Sequence, residues 1–446
     1  MNSPLAQLAD SELAAARMGR TWPMLSIKDA LLALPVTDAF PAFVDALQLP
    51  PASVLVRKRL TGAREFAERS NAFFRELEPA GESFVNRPPR VIGVGDHRVL
   101  SQVKRSLFVA IFENVATRGR SQLVEFPDEV LLDFEGEELA RIDDEVKLDS
   151  AVFRLEDGEA WIVDAGDEDT ILVDQCFSLL GPNSFAFGHW IVEYLPRLWI
   201  AMESGLMPDV AILIDKDMSR QHRQCLEMLL PAGTRIIEVK PMQRVLAGKL
   251  WFAPTFFYSP IYPQFNARFR YDLVAAPTDR FQRIFRGMLA RLEQAIVPVE
   301  GREKIYLARK PSSHRKLVNH GEIEDVAERA GFRLVYLEDV DFVDQLRLIR
   351  RASHLVGPEG SAFFMGFFAR AGTRVCILNH PHTEFLTEVT ALLEAVDVDC
   401  TVLTGPFHRI EEGGYIHFSD YEIDPTVFLE FLQGWRDEGG GLDAKQ

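Results

Sequence analysis

The fold turns on residues 302–404. Lys304-Ile305-Tyr306-Leu307-Ala308 is a short apolar run that ends at Arg309-Lys310. Asn319 then opens a helical pattern with Glu322 three residues on, the arrangement of a capping box, and Gly331 stops it. Arg333 to Leu337, His354-Leu355-Val356, Thr373 to Leu378 and Cys400 to Leu403 read as further strands. Between them, Phe342, Leu346 and Ile349 share one face of a helix, and residues 361–369 and 384–396 read as two more. Strand and helix alternate throughout, which predicts a parallel, doubly wound sheet.

Upstream the same pattern recurs more loosely. Residues 187–199 read as a helix, and Val210-Ala211-Ile212-Leu213-Ile214 as a central strand buried on both faces. Residues 220–230 read as a helix and 234–239 as a strand. Residues 91–175 look strand-rich, with short apolar runs at 91–94, 129–132, 151–155 and 160–163 between acidic turns. Residues 1–85 read as mainly helical, with one helix over 27–34 and another over 63–77. The expected class is α/β, with two Rossmann-like domains and a cleft between them, joined by the Pro/Phe/Tyr-rich stretch 253–265. The expected divisions are an N-terminal extension at 1–85, a first lobe at 86–300, a second lobe at 301–405, and a tail with a helix at 406–446.

Composition narrows the function. The chain has 446 residues and a net charge of −17, a poor match for nucleic acid, which calls for a basic face. No apolar run approaches the roughly 18 to 20 residues that span a bilayer, and residues 1–10 do not read as a signal peptide. The four cysteines show no CxxC spacing, so a reducing cytoplasmic compartment with buried thiols is expected.

Four segments carry candidate chemistry. In 181–197, His189 and Glu193 are i,i+4 neighbours if the segment is helical, with Arg197 one turn further and Pro196 set to kink the helix. A His and a Glu so placed form a general base and its orienting partner; the plain alternative is a solvated face with an ordinary ion pair. In 302–316, seven basic residues stand against Glu303 alone. Arg309 falls at the carboxyl end of a strand, Arg315 can make two parallel bonds to a phosphate, and Ser312, Ser313 and His314 lie between them. A solvated basic loop is the alternative. The third segment is Val356-Gly357-Pro358-Glu359-Gly360-Ser361, a strand, a glycine-containing turn and a helix start that presents backbone N–H groups to an anion; it is also simply a structural turn. The fourth is Asp215-Lys216-Asp217, which reads as a cation site on a nucleotide diphosphate or as a capping turn. His380 and His382 lack a third ligand of clear spacing.

Taken in order, Asn183…Gly188-His189-Trp190…Glu193…Pro196-Arg197, then Tyr306-Leu307-Ala308-Arg309…Arg315…Asn319…Glu322, then Gly331-Phe332, then Val356-Gly357-Pro358-Glu359-Gly360-Ser361, the chain resembles glycosyltransferase family 61 over residues 150–405. Glu359 stands where the family has a His, and Ala362 where it has a Gly. The resemblance implies an inverting, metal-independent enzyme of the GT-B type that needs no cofactor. It also implies a nucleotide-sugar donor and a glycan acceptor, lipid-linked as one option, in bacterial capsular or lipopolysaccharide synthesis. That places the protein in the cytoplasm or at the inner membrane face, with no nucleic-acid partner. His189 or Glu193 would be the catalytic base. The donor would lie on Asn183, Arg309, His314, Arg315, Asn319, Gly357, Glu359, Gly360 and Ser361, with no metal ligands. Two other readings compete: an inactive sugar-nucleotide or glycan-binding protein on the same scaffold, and a metal-dependent transferase using Asp215 and Asp217.

Overall fold

A computed structural model describes residues 10–17, 27–31, 34–81, 83–86, 89–95, 100–133, 149–156, 158–166, 169–256, 278–296, 300–310, 315–383, 386–410 and 416–438. The protein is a mixed α/β molecule whose chain packs into two units. The first comprises 1–82, 103–219 and 230–275; the second comprises 83–102, 220–229 and 276–446.

The first unit is built on one sheet. Its strands are β1 (Val54–Gly62), β2 (Phe73–Glu78), β3 (Leu107–Arg118), β4 (Val124–Glu125), β5 (Glu129–Leu132), β6 (Val152–Glu156), β7 (Glu159–Asp164), β8 (Ile171–Ser178), β9 (Ala211–Asp215), β10 (Ile236–Val239) and β11 (Arg244–Phe252). They are ordered β10-β9-β8-β11-β3-β4-β5-β1-β7-β6, with β2 paired to β3. Only β10, β9, β8 and β11 run parallel in sequence. From β11 onward the pairings are antiparallel except β1 with β5. Parallel pairing in this half is therefore confined to that four-strand segment and to β1 with β5.

Residues 54–62 and 73–78 are strands, although the N-terminal stretch reads as mainly helical. The helix expected over 63–77 is Ala63–Ser70 and ends at Asn71 in the left-handed conformation (φ 55°). Its apolar periodicity continues into Phe73 and Phe74, but both pair along β3, where Phe74 packs on the core and Phe73 is exposed. Tertiary pairing overrides a weak local pattern there. Helix Val36–Leu47 lays Ala39, Phe43 and Leu47 against Phe153 and Val163, with Phe43 edge-on to Phe153 at 5.2 Å.

The second unit follows the sequence pattern closely. Its strands are β12 (Glu303–Leu307), β13 (Arg333–Val335), β14 (Ala352–Pro358), β15 (Arg374–Asn379) and β16 (Asp399–Thr404). They pair in parallel in the order β13-β12-β14-β15-β16, and the strand Arg90–Ile92 adds to the far edge beside β16. Counted from β12 the order is 2-1-3-4-5, so the strand order reverses between β12 and β14. Helices His320–Arg329, Phe342–Arg351, Leu386–Ala395 and Pro425–Glu438 are where the periodicity predicts them.

Residues 361–368 form a 3-10 helix rather than an α-helix. Phe363, Met365, Gly366, Phe367 and Phe368 are all buried there, so packing on several sides, not one apolar stripe, sets its geometry. All four cysteines are free and buried. Among the described residues, no helix is long and apolar enough to cross a membrane.

Candidate functional site

In open parallel sheets, ligands bind outside the carboxyl ends of the strands where the strand order reverses. In the second unit that point lies beyond Leu307 and Pro358, and three of the expected residues meet there. Arg309 follows β12 and donates from Nη1 to the carbonyl of Glu359 at 3.0 Å. Arg315, held in the left-handed conformation (φ 54°), donates from Nη1 to Glu359 Oε2 at 2.6 Å. Arg315 is pinned there because its own N–H donates to the Phe418 carbonyl, and Val318 N–H to that of Tyr421.

Arg309 and Arg315 line a cavity of about 210 Å³ with Lys310, Lys316, His320, Glu324 and Pro358. Four cations and one carboxylate line it, in a chain of charge −17, with Arg315 paired to Glu359 and Lys310 to Asp339 just outside the lining. Burial, and next the neighbouring Arg315, press the Arg309 guanidinium below its ordinary value. The buried Arg315 Nε has no hydrogen-bond partner among the described residues. Crowded cations with an unsatisfied N–H are chemistry that suits an anion, and two guanidinium groups suit a phosphate.

The other expected donor residues divide. Gly360 has extended backbone (φ 167°), and Ser361 is exposed at the start of the 3-10 helix. Gly357 has a packing reason: a Cβ there would stand 2.3 Å from the Leu307 carbonyl oxygen. Asn319 makes no side-chain cap to its helix. Its amide instead clips the Ile423 backbone, donating to the carbonyl at 2.7 Å and accepting the N–H at 3.2 Å. His314, Ser312 and Ser313 lie outside the described residues. Lys310, Lys316 and His320 were not singled out as binding residues; Lys310 and Lys316 belong to the same basic run.

In the first unit, residues 187–203 are helical, but Trp190–Tyr194 is a π turn in which Leu195 N–H reaches back to the Trp190 carbonyl. Pro196, which has no N–H to give the preceding turn, follows directly. His189 Nδ1 lies 2.9 Å from Glu193 Oε1. Glu193 is buried, while the His189 side chain is 24% exposed. The solvated-face alternative therefore fails for Glu193 and for Arg197, which is also buried and donates from Nε to the Ala253 carbonyl at 3.0 Å. A carboxylate on Nδ1 selects the Nδ1–H tautomer and keeps the ring's lone pair on Nε2, the arrangement of a general base with its orienting partner. Arg197 belongs to a buried polar layer in which Arg105 donates to the carbonyls of Asp133 and Thr255, and the Thr255 N–H donates to Asp133.

The loop before this helix is locked from two sides. Tyr194 Oη accepts the Asn183 N–H at 3.2 Å, and a Cβ on Gly181 would strike that hydroxyl at 2.3 Å. Asp215, at the end of β9, accepts from the Gly181 N–H at 3.0 Å, the Arg120 N–H at 2.5 Å and the Ser184 hydroxyl at 2.5 Å. Asp215 is thus buried with both oxygens engaged, whereas Asp217 is exposed with φ 65°. The pair does not present two carboxylates to one cation.

The family model for Glycosyltransferase 61 matches residues 187–376. The chain carries a glycosyltransferase 61 domain. It is a glycosyltransferase, and its substrates are a sugar donor and an acceptor. The matched segment contains His189, Glu193, Arg309, Arg315, Asn319 and the Gly357–Ser361 turn, and stops short of Asn183. No curated protein matches the chain.

Proposed function

We propose that this glycosyltransferase moves a sugar from a nucleotide-sugar donor to a glycan acceptor with inversion at the anomeric carbon and without a metal ion. The observation that carries the reading is the meeting of Arg309, Arg315 and Glu359 where the second unit's strand order reverses. The division of labour is that of a GT-B enzyme: the second unit takes the donor and the first supplies the base.

In the reaction, the acceptor hydroxyl gives its proton to His189 Nε2. The acceptor oxygen bonds to the anomeric carbon from the face opposite the leaving group. The bond from that carbon to the phosphate oxygen breaks, and the nucleoside diphosphate leaves with its charge on Arg309 and Arg315. Glu193 holds the imidazole in its tautomer and stabilises the imidazolium that forms. Aligned cations at a leaving phosphate act on charge that develops in the transition state. Glu359, drawn to Arg315 before the donor arrives, is freed by the incoming phosphate to accept hydroxyls of the donor's ribose or sugar. Gly360 and Ser361 contribute backbone N–H groups, His314 of the same basic run is a further donor-binding residue, and Asn183 and Asn319 hold their segments in place.

The acceptor is a bacterial surface polysaccharide, capsular or lipopolysaccharide, and the work is done in the cytoplasm or at the inner membrane face. The test is paired: His189→Ala must lower transfer while leaving donor affinity in place, and Arg309→Ala must weaken donor affinity. Full transfer by both His189→Ala and Glu193→Ala overturns the base assignment. Unchanged donor affinity in Arg309→Ala overturns the phosphate assignment.

A further inference from the structure

The family match ends at residue 376, yet the segment that fixes the basic loop of the donor cavity lies well beyond it. Residues 418–423 run as a strap along residues 315–319. Arg315 N–H donates to the Phe418 carbonyl and Lys316 N–H to Asp420 Oδ1, both at 3.0 Å. Tyr421 N–H donates to the Lys316 carbonyl and Val318 N–H to the Tyr421 carbonyl, both at 2.9 Å, which makes Leu317 and Tyr421 bridge partners. Asn319 then closes on both backbone groups of Ile423.

Arg315 gives this density of bonds a purpose. A non-glycine residue in the left-handed region is strained, and it persists only where its surroundings over-determine it. The strap holds Arg315 at its own N–H and Lys316 at both backbone groups. In that conformation the Arg315 guanidinium reaches Glu359 Oε2, while Arg309 rests on the Glu359 carbonyl. Glu359 is therefore the hub on which both phosphate-facing arginines are set.

Tyr421 carries the grip from the strap to that hub. Its hydroxyl donates to the Leu378 carbonyl at 2.8 Å, and the same carbonyl accepts the Glu359 N–H at 2.9 Å. The phenol is 1% exposed and interacts electrostatically with Glu359, Arg309 and Arg315. Packing in the core of this unit calls for the ring but not for the hydroxyl. A phenylalanine would leave no buried group orphaned, because the Leu378 carbonyl keeps its bond from Glu359.

We propose that the strap is part of the donor site, with Tyr421 and Asp420 as positioning residues. Asp420 and the strap backbone hold Arg315 in its left-handed conformation, Tyr421 holds the Glu359 turn, and together they set the Arg309–Arg315 spacing for the donor's diphosphate. The inference rests on the donor site proposed above.

The test is calorimetric titration of the full chain with uridine, cytidine and guanosine diphosphates and with inorganic pyrophosphate, the last a probe that needs no nucleobase. Tyr421→Phe removes only the hydroxyl. Asp420→Ala removes the acceptor for the Lys316 N–H, whereas Asp420→Asn loses the same charge but keeps an oxygen there. Phe428→Leu, in the core of the same unit, lowers stability without touching residues 315–319 or Glu359. A probe that binds the wild type should bind Tyr421→Phe and Asp420→Ala about two- to tenfold more weakly, the loss expected of one hydrogen bond. Asp420→Asn should stay within about twofold of the wild type. Phe428→Leu should melt earlier and bind as the wild type does, a result that a merely structural role for the strap would not give. Circular dichroism melts establish that each variant is folded, and either Tyr421→Phe or Asp420→Ala suffices if the other is not. Arg315→Gln separates the two readings. If it loses affinity while the folded strap variants bind like the wild type, the positioning inference is overturned and the donor site stands. Equal losses in Phe428→Leu and Tyr421→Phe overturn the inference as well, and equal losses in Asp420→Asn and Asp420→Ala overturn it for Asp420. If no probe binds the wild type, or Arg315→Gln binds in full, the donor site falls and the inference with it.

Discussion

Asp215 is the most exposed point of the structural argument, since the same residue reads from sequence as a cation ligand. Replacing it with Ala removes the acceptor for two buried N–H groups, from Arg120 and Gly181, and for the Ser184 hydroxyl. It also removes the carboxylate whose charge offsets the buried Arg120 guanidinium, which keeps its own bonds to the Ser184 hydroxyl and the Lys216 carbonyl. Leaving those buried donors without an acceptor, and a buried arginine without its offsetting carboxylate, costs about 3–5 kcal/mol. Burial lifts the Asp215 carboxyl above its ordinary value against the pull of Arg120, so the charge itself is partly offset. Asp215→Asn keeps the shape but turns an amide NH2 toward donors, at a cost of about 1–3 kcal/mol. Urea unfolding followed by tryptophan fluorescence is the suitable assay, because Trp161, Trp190, Trp199 and Trp251 lie in the first unit and only Trp435 among the described tryptophans lies in the second. At a typical slope of about 2 kcal/mol per molar urea, Asp215→Ala should move the first unit's midpoint down by about 2 M. A change below about 1 kcal/mol, or stabilisation of the wild type by Mg2+ that Asp215→Asn abolishes, would refute the positioning role.

Further outcomes follow from other contacts. His189→Ala should lower transfer by about 10²- to 10⁴-fold and Glu193→Gln by less, both without loss of the folded state; stopped assays at saturating donor check this. Gly357→Ala should destabilise the second unit by about 1–3 kcal/mol, since its Cβ meets a backbone oxygen rather than a side chain that can swing away; calorimetric melting reads this. Burial, and then Lys304 and Arg374, hold His354 down from 6.5 to about 4. The unfolded chain therefore takes up that proton first as the pH falls, and stability must drop between about pH 6.5 and pH 4. In His354→Gln this part of the slope should disappear from melts across that range.

The second unit could be read from sequence almost strand by strand, because each βα repeat has its own apolar run, helix face and stop signal. Gly331, expected to end a helix, does so with φ 86°, and Arg309 lies at the strand end where the pattern places it. Two pieces of that unit were not legible. The strand Arg90–Ile92 joins β16 from more than 300 residues away in sequence, and no local signal encodes so distant a pairing. Asn319 has the look of a helix cap, yet its amide holds Ile423 instead. The first unit was harder because an eleven-stranded mixed sheet does not repeat a local unit. Long strands such as β3 and β11 mix buried and exposed residues without clean alternation. At the site, the His189–Glu193 spacing gave the pair, but the burial of Glu193 and Arg197 and the π turn beneath them depend on neighbours that only folding supplies.

The central claim is a metal-independent donor site on Arg309 and Arg315. Its most direct test is a thermal-shift panel of nucleoside diphosphates and sugar nucleotides, each with and without EDTA, on the wild type and Arg315→Gln. A ligand at a hundred times its dissociation constant stabilises the folded state by about 2.7 kcal/mol, a shift easily seen. The account predicts that one nucleotide raises the wild-type midpoint, that EDTA leaves the shift in place, and that Arg315→Gln largely abolishes it. A shift removed by EDTA, or one that Arg315→Gln retains in full, would contradict it.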